Sequence, residues 1–241
     1  MGRRYFKKHL ADSQIGELQR HIEGSDYWTP IELGKTETHD CAVVFFDLCN
    51  FTNISWSLSK SDIMVILQTF FEFTSKNVTH HHGMIDKYPG DGVVAFFPRY
   101  FGEPDDVITE YALDCVTEVM FWFYEHMRWR FKLPKPSHSL ELSVGVDAGS
   151  VSIAHVGSVY HSELILLGDV VNCASKCQEV AESREVVVGQ DAANRVRSIY
   201  SDYFSTGPST NIVYTSDNRR YVSYRFDWEK FAKASSWIRK T

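Results

Sequence analysis

Two carboxylates, Asp47 and Asp91, and a polar pair, Asn172 and Lys176, are the side chains whose types and settings could carry chemistry. Asp47 closes the apolar run Ala42-Val43-Val44-Phe45-Phe46, which has the length of a strand buried on both faces. An unpaired charge inside such a strand is costly, so Asp47 is expected where the strand emerges, at its C-terminal end. Asn50, Phe51 and Thr52 then read as the start of a loop whose backbone N–H groups could face an anion. Asp91 lies between two glycines in Pro89-Gly90-Asp91-Gly92, a hairpin tip where backbone can approach a ligand closely. Asn172 and Lys176 are four residues apart near a helix start, so they share one face and offer an amide and an ammonium to an oxyanion or a sugar hydroxyl. Plainer readings stay open at this point: turn residues for the carboxylates, a solvated surface pair for the other two.

Taken together, the parts suit one class of reaction. Two carboxylates at exposed strand ends can hold two hard divalent ions, Mg²⁺ or Mn²⁺, with positions left open for substrate phosphates. Two such ions about 4 Å apart clamp the attacking and leaving oxygens of an in-line phosphoryl displacement. The segment after Asp47 would cradle a triphosphate, and a facing cation and amide would stabilise its transition state. This is nucleotidyl or phosphoryl transfer from a nucleoside triphosphate.

The elements that must position these groups follow from periodicity. A helix is predicted from Ser61, as N-cap, through Ile63, Ile66, Leu67, Phe70 and Phe73, with Gly83 ending it. His80, His81 and His82 at its end read as a solvated terminus rather than a metal site, because consecutive helical residues do not face one another. The hairpin of Met84–Phe97 comes next, then a long core helix opened by Pro104-Asp105-Asp106. Leu140–Val146 reads as a strand, Asp147-Ala148-Gly149 as a turn, and Val151–Val156 and Leu164–Leu167 as further strands. A helix begins at Gly168, a strand spans Glu185–Val188, and a helix spans Gln190–Ser198. A final hairpin, Asn211–Thr215 with Tyr221–Phe226, leads to a helix over Glu229–Ile238 anchored by Phe231 and Trp237. The order suggests an α+β fold with a ferredoxin-like βαββαβ core and additional β/α elements. Residues 1–38, with a short amphipathic helix over Ser13–Ile22, read as an N-terminal arm, and residues 39–241 as one catalytic domain.

Composition narrows the setting. The 241 residues are 44% hydrophobic, enough for one sizeable core, and carry a net charge of −6, without the basic signature of a nucleic-acid or anionic-membrane binder. No apolar run spans a bilayer and no secretory signal is present, so a cytoplasmic location is expected. The five cysteines form no CxxC pair and read as reduced core residues.

Four stretches carry a resemblance: Asp47-Leu48-Cys49-Asn50-Phe51-Thr52, Lys87-Tyr88-Pro89-Gly90-Asp91-Gly92, Gly145-Val146-Asp147-Ala148-Gly149, and Gly168-Asp169-Val170-Val171-Asn172-Cys173-Ala174-Ser175-Lys176. In order and spacing they resemble the successive signatures of class III nucleotidyl cyclases, over about residues 40 to 190. The resemblance implies a head-to-tail homodimer with active sites at the interface. Asp47 and Asp91, helped by the Leu48 carbonyl, would hold two divalent ions, Mn²⁺ or Mg²⁺. The partner would supply Asn172 to orient the ribose and a cation to steady the α-phosphate. Arg220 or its neighbour Arg219 would reach the terminal phosphates.

The departures from the family are informative. Lys176 stands where the family usually has Arg, keeping charge but losing the planar fork. The base-recognition positions fall on Lys87 and Ile165, a pairing typical of neither adenylate nor guanylate cyclases, and Ile165 cannot accept a hydrogen bond. With these features and no fused sensor, the chain most resembles the stand-alone pyrimidine cyclases of bacterial Pycsar antiphage systems. That implies cyclic UMP, or less readily cyclic CMP, as a messenger for a separate effector. The alternatives are a soluble adenylate cyclase making cyclic AMP and a catalytically dead nucleotide-binding domain.

Overall fold

The computed structural model describes residues 31–100, 103–131, 133, 139–158, 160–208, 210–213, 220–236 and 238. The expected Ser13–Ile22 helix, the turn carrying Arg219, and Trp237 lie outside them. In chain order the elements are β1 (Thr36–Cys49), α1 (Phe51–Ser55), α2 (Lys60–His80), β2 (Met84–Lys87), β3 (Gly92–Pro98), α3 (Val107–Trp122), β4 (Glu141–Ser158), β5 (His161–Leu167), α4 (Asp169–Val180), β6 (Val186–Gly189), α5 (Gln190–Tyr200), β7 (Thr210–Val213), β8 (Arg220–Arg225) and α6 (Trp228–Ala234).

The strands form one sheet in the order β2-β3-β1-β4-β6-β8-β7, with β5 paired to the far half of β4. Its first four strands, with α2 and α3 as crossovers, are the expected βαββαβ core. β1 is central and antiparallel to both neighbours. Its alternate residues serve two cores. Ala42, Val44, Phe46 and Leu48 pack with α2, α3 and α5, while Cys41 and Val43 pack with β5 and α4. Burial on both faces is why the run is continuously apolar instead of alternating.

Several boundaries differ from expectation for identifiable reasons. Ser59, not Ser61, caps α2: its Oγ accepts from Asp62 N at 3.1 Å and donates to Asp62 Oδ2 at 2.7 Å. At the other end His82, not Gly83, takes the left-handed conformation, with φ of 63°. Gly83 is held small because a Cβ there would stand 2.6 Å from the Phe97 ring. The histidine run is not simply solvated, since His81 is mostly buried and bonds Glu118 at 2.8 Å.

The largest correction concerns Asp147-Ala148-Gly149, which is no turn. β4 runs unbroken from Glu141 to Ser158. Asp147 is fully buried within it, accepting from Tyr221 Oη at 2.7 Å and from Ala192 N at 3.2 Å. Burial pushes its carboxyl up to about 6, and these bonds hold it back from going further. The carboxylate therefore ties β4 to β8 and to the start of α5. Elsewhere the differences are small: β5 starts earlier at His161, β6 is Val186–Gly189, α5 continues to Tyr200, and α6 stops at Ala234. All five cysteines are free and four are buried, as a reduced core requires. No helix among the described residues is long and apolar enough to cross a membrane.

Candidate active site

The site is built outward from the end of β1. Asp47 pairs with Gly92, and there the β1–β3 ladder stops, whereas the β1–β4 ladder continues to Cys49 opposite Glu141. Leu48 and Cys49 therefore have a sheet neighbour on one side only. The Leu48 side chain is buried, so its backbone is the part that can face a ligand.

Gly92 is also a packing requirement, because a Cβ there would lie 2.8 Å from the Phe46 carbonyl and 3.5 Å from Asp47 Oδ1. The turn that precedes it, with Gly90 at φ of 67°, brings Asp91 beside Asp47. The Asp47 carboxyl is raised above its ordinary 3.8, first by burial and then by the negative charge of Asp91. Among the described residues no side-chain cation pairs with either carboxylate, and no group of three or more His, Cys, Asp or Glu forms a closed metal site. Two adjacent carboxylates beside an open backbone edge form a donor set that is short of positive charge.

Asn50-Phe51-Thr52 is a helix start, not a loop. Asn50 takes a left-handed conformation, φ 57° and ψ 17°, and turns the chain abruptly from β1 into α1. Phe51 is 4% exposed and part of the core, so only its backbone is available to a ligand. Within the helix Ile54 N bonds Asn50 O, which leaves the N–H groups before it without intrahelical partners.

Asn172 and Lys176 share the exposed face of α4. Two glycines seat that helix. A Cβ on Gly145 would collide with Gln178 N and Ala174 O, and one on Gly149 would lie 2.8 Å from Val170 Cγ2. The Gly145–Gly149 stretch is thus a strand surface stripped for close helix packing. Lys176 points to Glu179 at 2.7 Å rather than to Asp47 or Asp91.

On the other side of the site, Lys87 is about half exposed and lies 3.3 Å from Asp86. Ile165 sits on β5 opposite Ala154, next but one to Glu163. Burial raises the Asp86 carboxyl, Lys87 beside it draws it back, and the charge of Glu163 on β5 adds a smaller rise; β2 and β5 lie against each other. Arg220 is exposed at the start of β8, opposite Val213, with β4 and β6 between its strand and β1. One chain therefore gathers Asp47, Leu48, Asp91 and the α1 start at one place, and Lys87 with the β5 strand at another. It leaves Asn172, Lys176 and Arg220 without a contact to the carboxylates. Sequence reasoning did not single out Asp86, and its signal was a carboxylate directly preceding Lys87.

Comparison with known proteins identifies the family and the fold. The profile of the adenylate and guanylate cyclase catalytic domain matches residues 33–213. The chain belongs to that family, and its matched region is a nucleotidyl cyclase domain. An uncharacterized protein of Mycobacterium tuberculosis is 28% identical over 154 residues, covering 63% of this chain and 24% of the relative. A second from the same organism is 29% identical over 153 residues, covering 64% and 26%. The chain thus spans about a quarter of the length of these curated relatives. In fold it is similar to the adenylyl cyclase CyaB of P. aeruginosa, with a TM-score of 0.69 at 20% identity over 80% of this chain and 95% of that one. It is similar also to the guanylyl cyclase Cya2, with a TM-score of 0.66 at 18% identity over 79% and 92%.

Proposed function

We propose that the chain cyclises a pyrimidine nucleoside triphosphate, UTP in preference to CTP, to the 3′,5′-cyclic nucleotide and pyrophosphate, in two sites shared across a head-to-tail homodimer. The observation that carries the shared-site part of this reading is that Asp47 and Asp91 stand together with no side-chain cation on either among the described residues, while Asn172 and Lys176 lie on exposed helix surface without a contact to them. A second copy supplies what one chain lacks.

Asp47, Asp91 and the Leu48 carbonyl are the groups that would hold two divalent ions, Mn²⁺ or Mg²⁺. The residues fit such ions, since an all-oxygen donor set short of positive charge is what hard cations take. When bound, the ions supply Lewis-acid stabilisation of the attacking and leaving oxygens. The chain's own groups do the rest. The N–H groups at the start of α1, from Phe51 and Thr52 beyond Asn50, hold the triphosphate, and Arg220 meets its terminal phosphates. Asn172 fixes the ribose so that O3′ lies in line with the α-phosphorus. Lys176 donates to the α-phosphate oxygens as charge develops there. The O3′–H proton passes to water, the O3′–P bond forms, and the bond to the pyrophosphate oxygen breaks with its electron pair, which leaves on pyrophosphate. Lys87 and Ile165 frame the base. The product would act through a separate effector in a cytoplasmic antiphage response.

Incubating the full chain with each of the four nucleoside triphosphates and Mn²⁺ tests the substrate. Cyclic UMP is the expected main product, and a predominance of cyclic AMP would overturn the pyrimidine assignment. Mixing Asp47→Ala with Lys176→Ala protein tests the shared site. Each is expected to be impaired by about 10²-fold or more alone, and the mixture to regain activity well above either through heterodimers holding one intact site.

A further inference from the structure

The sequence leaves the base site with a donor, Lys87, and an apolar residue, Ile165, and so without an acceptor. The structure puts an acceptor beside Lys87 by an irregularity in β2. Met84 pairs with Phe96, Ile85 with Ala95, and Lys87 with Val94, so Asp86 is an extra residue with no partner on β3. A bulge of this kind breaks the strict alternation of a strand and re-aims the side chains at it. Asp86 and Lys87, which regular alternation would send to opposite faces, instead meet with Nζ 3.3 Å from Oδ2.

The two side chains differ sharply in exposure, 4% for Asp86 and 52% for Lys87. Among the described residues Lys87 is the one ion-pair partner of Asp86, and it engages Oδ2. Among the described residues the other oxygen, Oδ1, has no hydrogen-bond or ion-pair partner. Asp86 therefore presents a carboxylate oxygen largely shielded from water, beside an ammonium that retains further N–H donors.

We propose that Asp86 is the specificity-determining acceptor of the base site, taking an N–H of the nucleobase while Lys87 donates to the adjacent ring or carbonyl acceptor. This rests on the placement of the base at Lys87 and Ile165 given above. A shielded acceptor discriminates strongly, because a base that presents no donor to it leaves a buried carboxylate oxygen unpaired. The bulge is what lets one strand supply both halves of the reading pair, and it releases the β5 position to be the apolar Ile165.

The test is the affinity of the metal-loaded full chain for the α,β-methylene analogues of UTP, CTP, GTP and ATP, which needs no turnover. Wild type is expected to separate the four. Asp86→Ala is expected to lower affinity for the preferred analogue at least about tenfold and to bring the four within a few-fold of one another. Asp86→Glu should restore part of the separation, and Glu163→Gln should leave the ranking intact. Asp86→Leu, which keeps the volume and removes both acceptor oxygens, serves if the alanine variant does not fold. An unchanged ranking in Asp86→Ala or Asp86→Leu, or a ranking erased by Glu163→Gln, would overturn the inference. If wild type binds none of the analogues, the proposed function falls and this inference falls with it. If it binds them and Asp86→Ala or Asp86→Leu keeps the ranking, only this inference falls.

Discussion

Asp47 on β1 stands directly opposite Gly92 on β3, and theirs is the last pair of that ladder, so Asp91 sits one residue past its end beside Asp47. Burial and the Asp91 charge together raise the Asp47 carboxyl above 3.8. The linkage has a definite sign: with the folded value raised, the associated stability is full below 3.8 and is lost as pH rises through the raised value. Asp47→Asn, neutral at every pH, should therefore melt higher than wild type at about pH 8 in metal-free buffer and show no such gain at about pH 4. The same variant should lose about 10³-fold or more in turnover, since several kcal/mol of transition-state stabilisation depend on this position. Melting curves at the two pH values and product chromatography measure both. A fold that gains stability when a site residue is removed is holding that residue for chemistry.

Gly145 gives the second prediction. It pairs with Phe45 on β1 and packs under α4 so closely that a methyl group would meet the backbone of Gln178 and Ala174. Backbone yields less readily than a side chain, so Gly145→Ala should cost about 1–3 kcal/mol in urea unfolding. It should also displace the helix that carries Asn172 and Lys176. Turnover is expected to fall at temperatures where the variant is still fully folded, which separates misplacement of α4 from loss of protein.

Tyr221 gives the third. Its hydroxyl donates to Asp147 Oδ2 at 2.7 Å and accepts from Asp191 N at 2.9 Å. The Asp147 carboxyl, raised to about 6, withdraws stability as pH rises through that value. Tyr221→Phe takes a donor from the ionised form, so its penalty should be about 1–2 kcal/mol at pH 8 and smaller at pH 5. Urea unfolding at both values checks the difference, and equal penalties would place the effect in packing instead of charge.

These same residues show what a sequence can and cannot disclose. The run from Ala42 to Phe46 announced a strand buried on both faces, and Pro89-Gly90-Asp91-Gly92 announced a hairpin, because their signals are local. Asp147-Ala148-Gly149 has an equally local turn signal, yet it lies in mid-strand. Its carboxylate is satisfied by Tyr221, 74 positions later, and by the start of α5. A partner so distant leaves no trace in a short window. Asp86 was hidden for a different reason, since a bulge is a matter of register with β3 and the residue types alone do not fix it. Asn50-Phe51-Thr52 failed in a third way. Polar residues after a strand suit a loop as well as a helix start, and burial of Phe51 in the core decided between them.

Lys176 and Glu179 give the last prediction. Their 2.7 Å ion pair joins side chains that are 48% and 54% exposed, one turn apart on α4. Pairs of this kind contribute at most about 1 kcal/mol, and water and salt screen much of that. Lys176→Ala should therefore leave the unfolding midpoint nearly unchanged while turnover falls about 10²–10³-fold, the loss typical of one donor to a developing oxyanion. Glu179→Ala should also leave stability nearly unchanged but should not lower turnover, because it only releases the ammonium from a competing partner. Lys176→Arg restores the charge and adds a fork that can donate twice, so it should keep most of the activity. Steady-state kinetics on the three variants separate the roles. If Glu179→Ala were as damaging as Lys176→Ala, the pair would be acting as a unit, and the ammonium could not be assigned to the α-phosphate on its own.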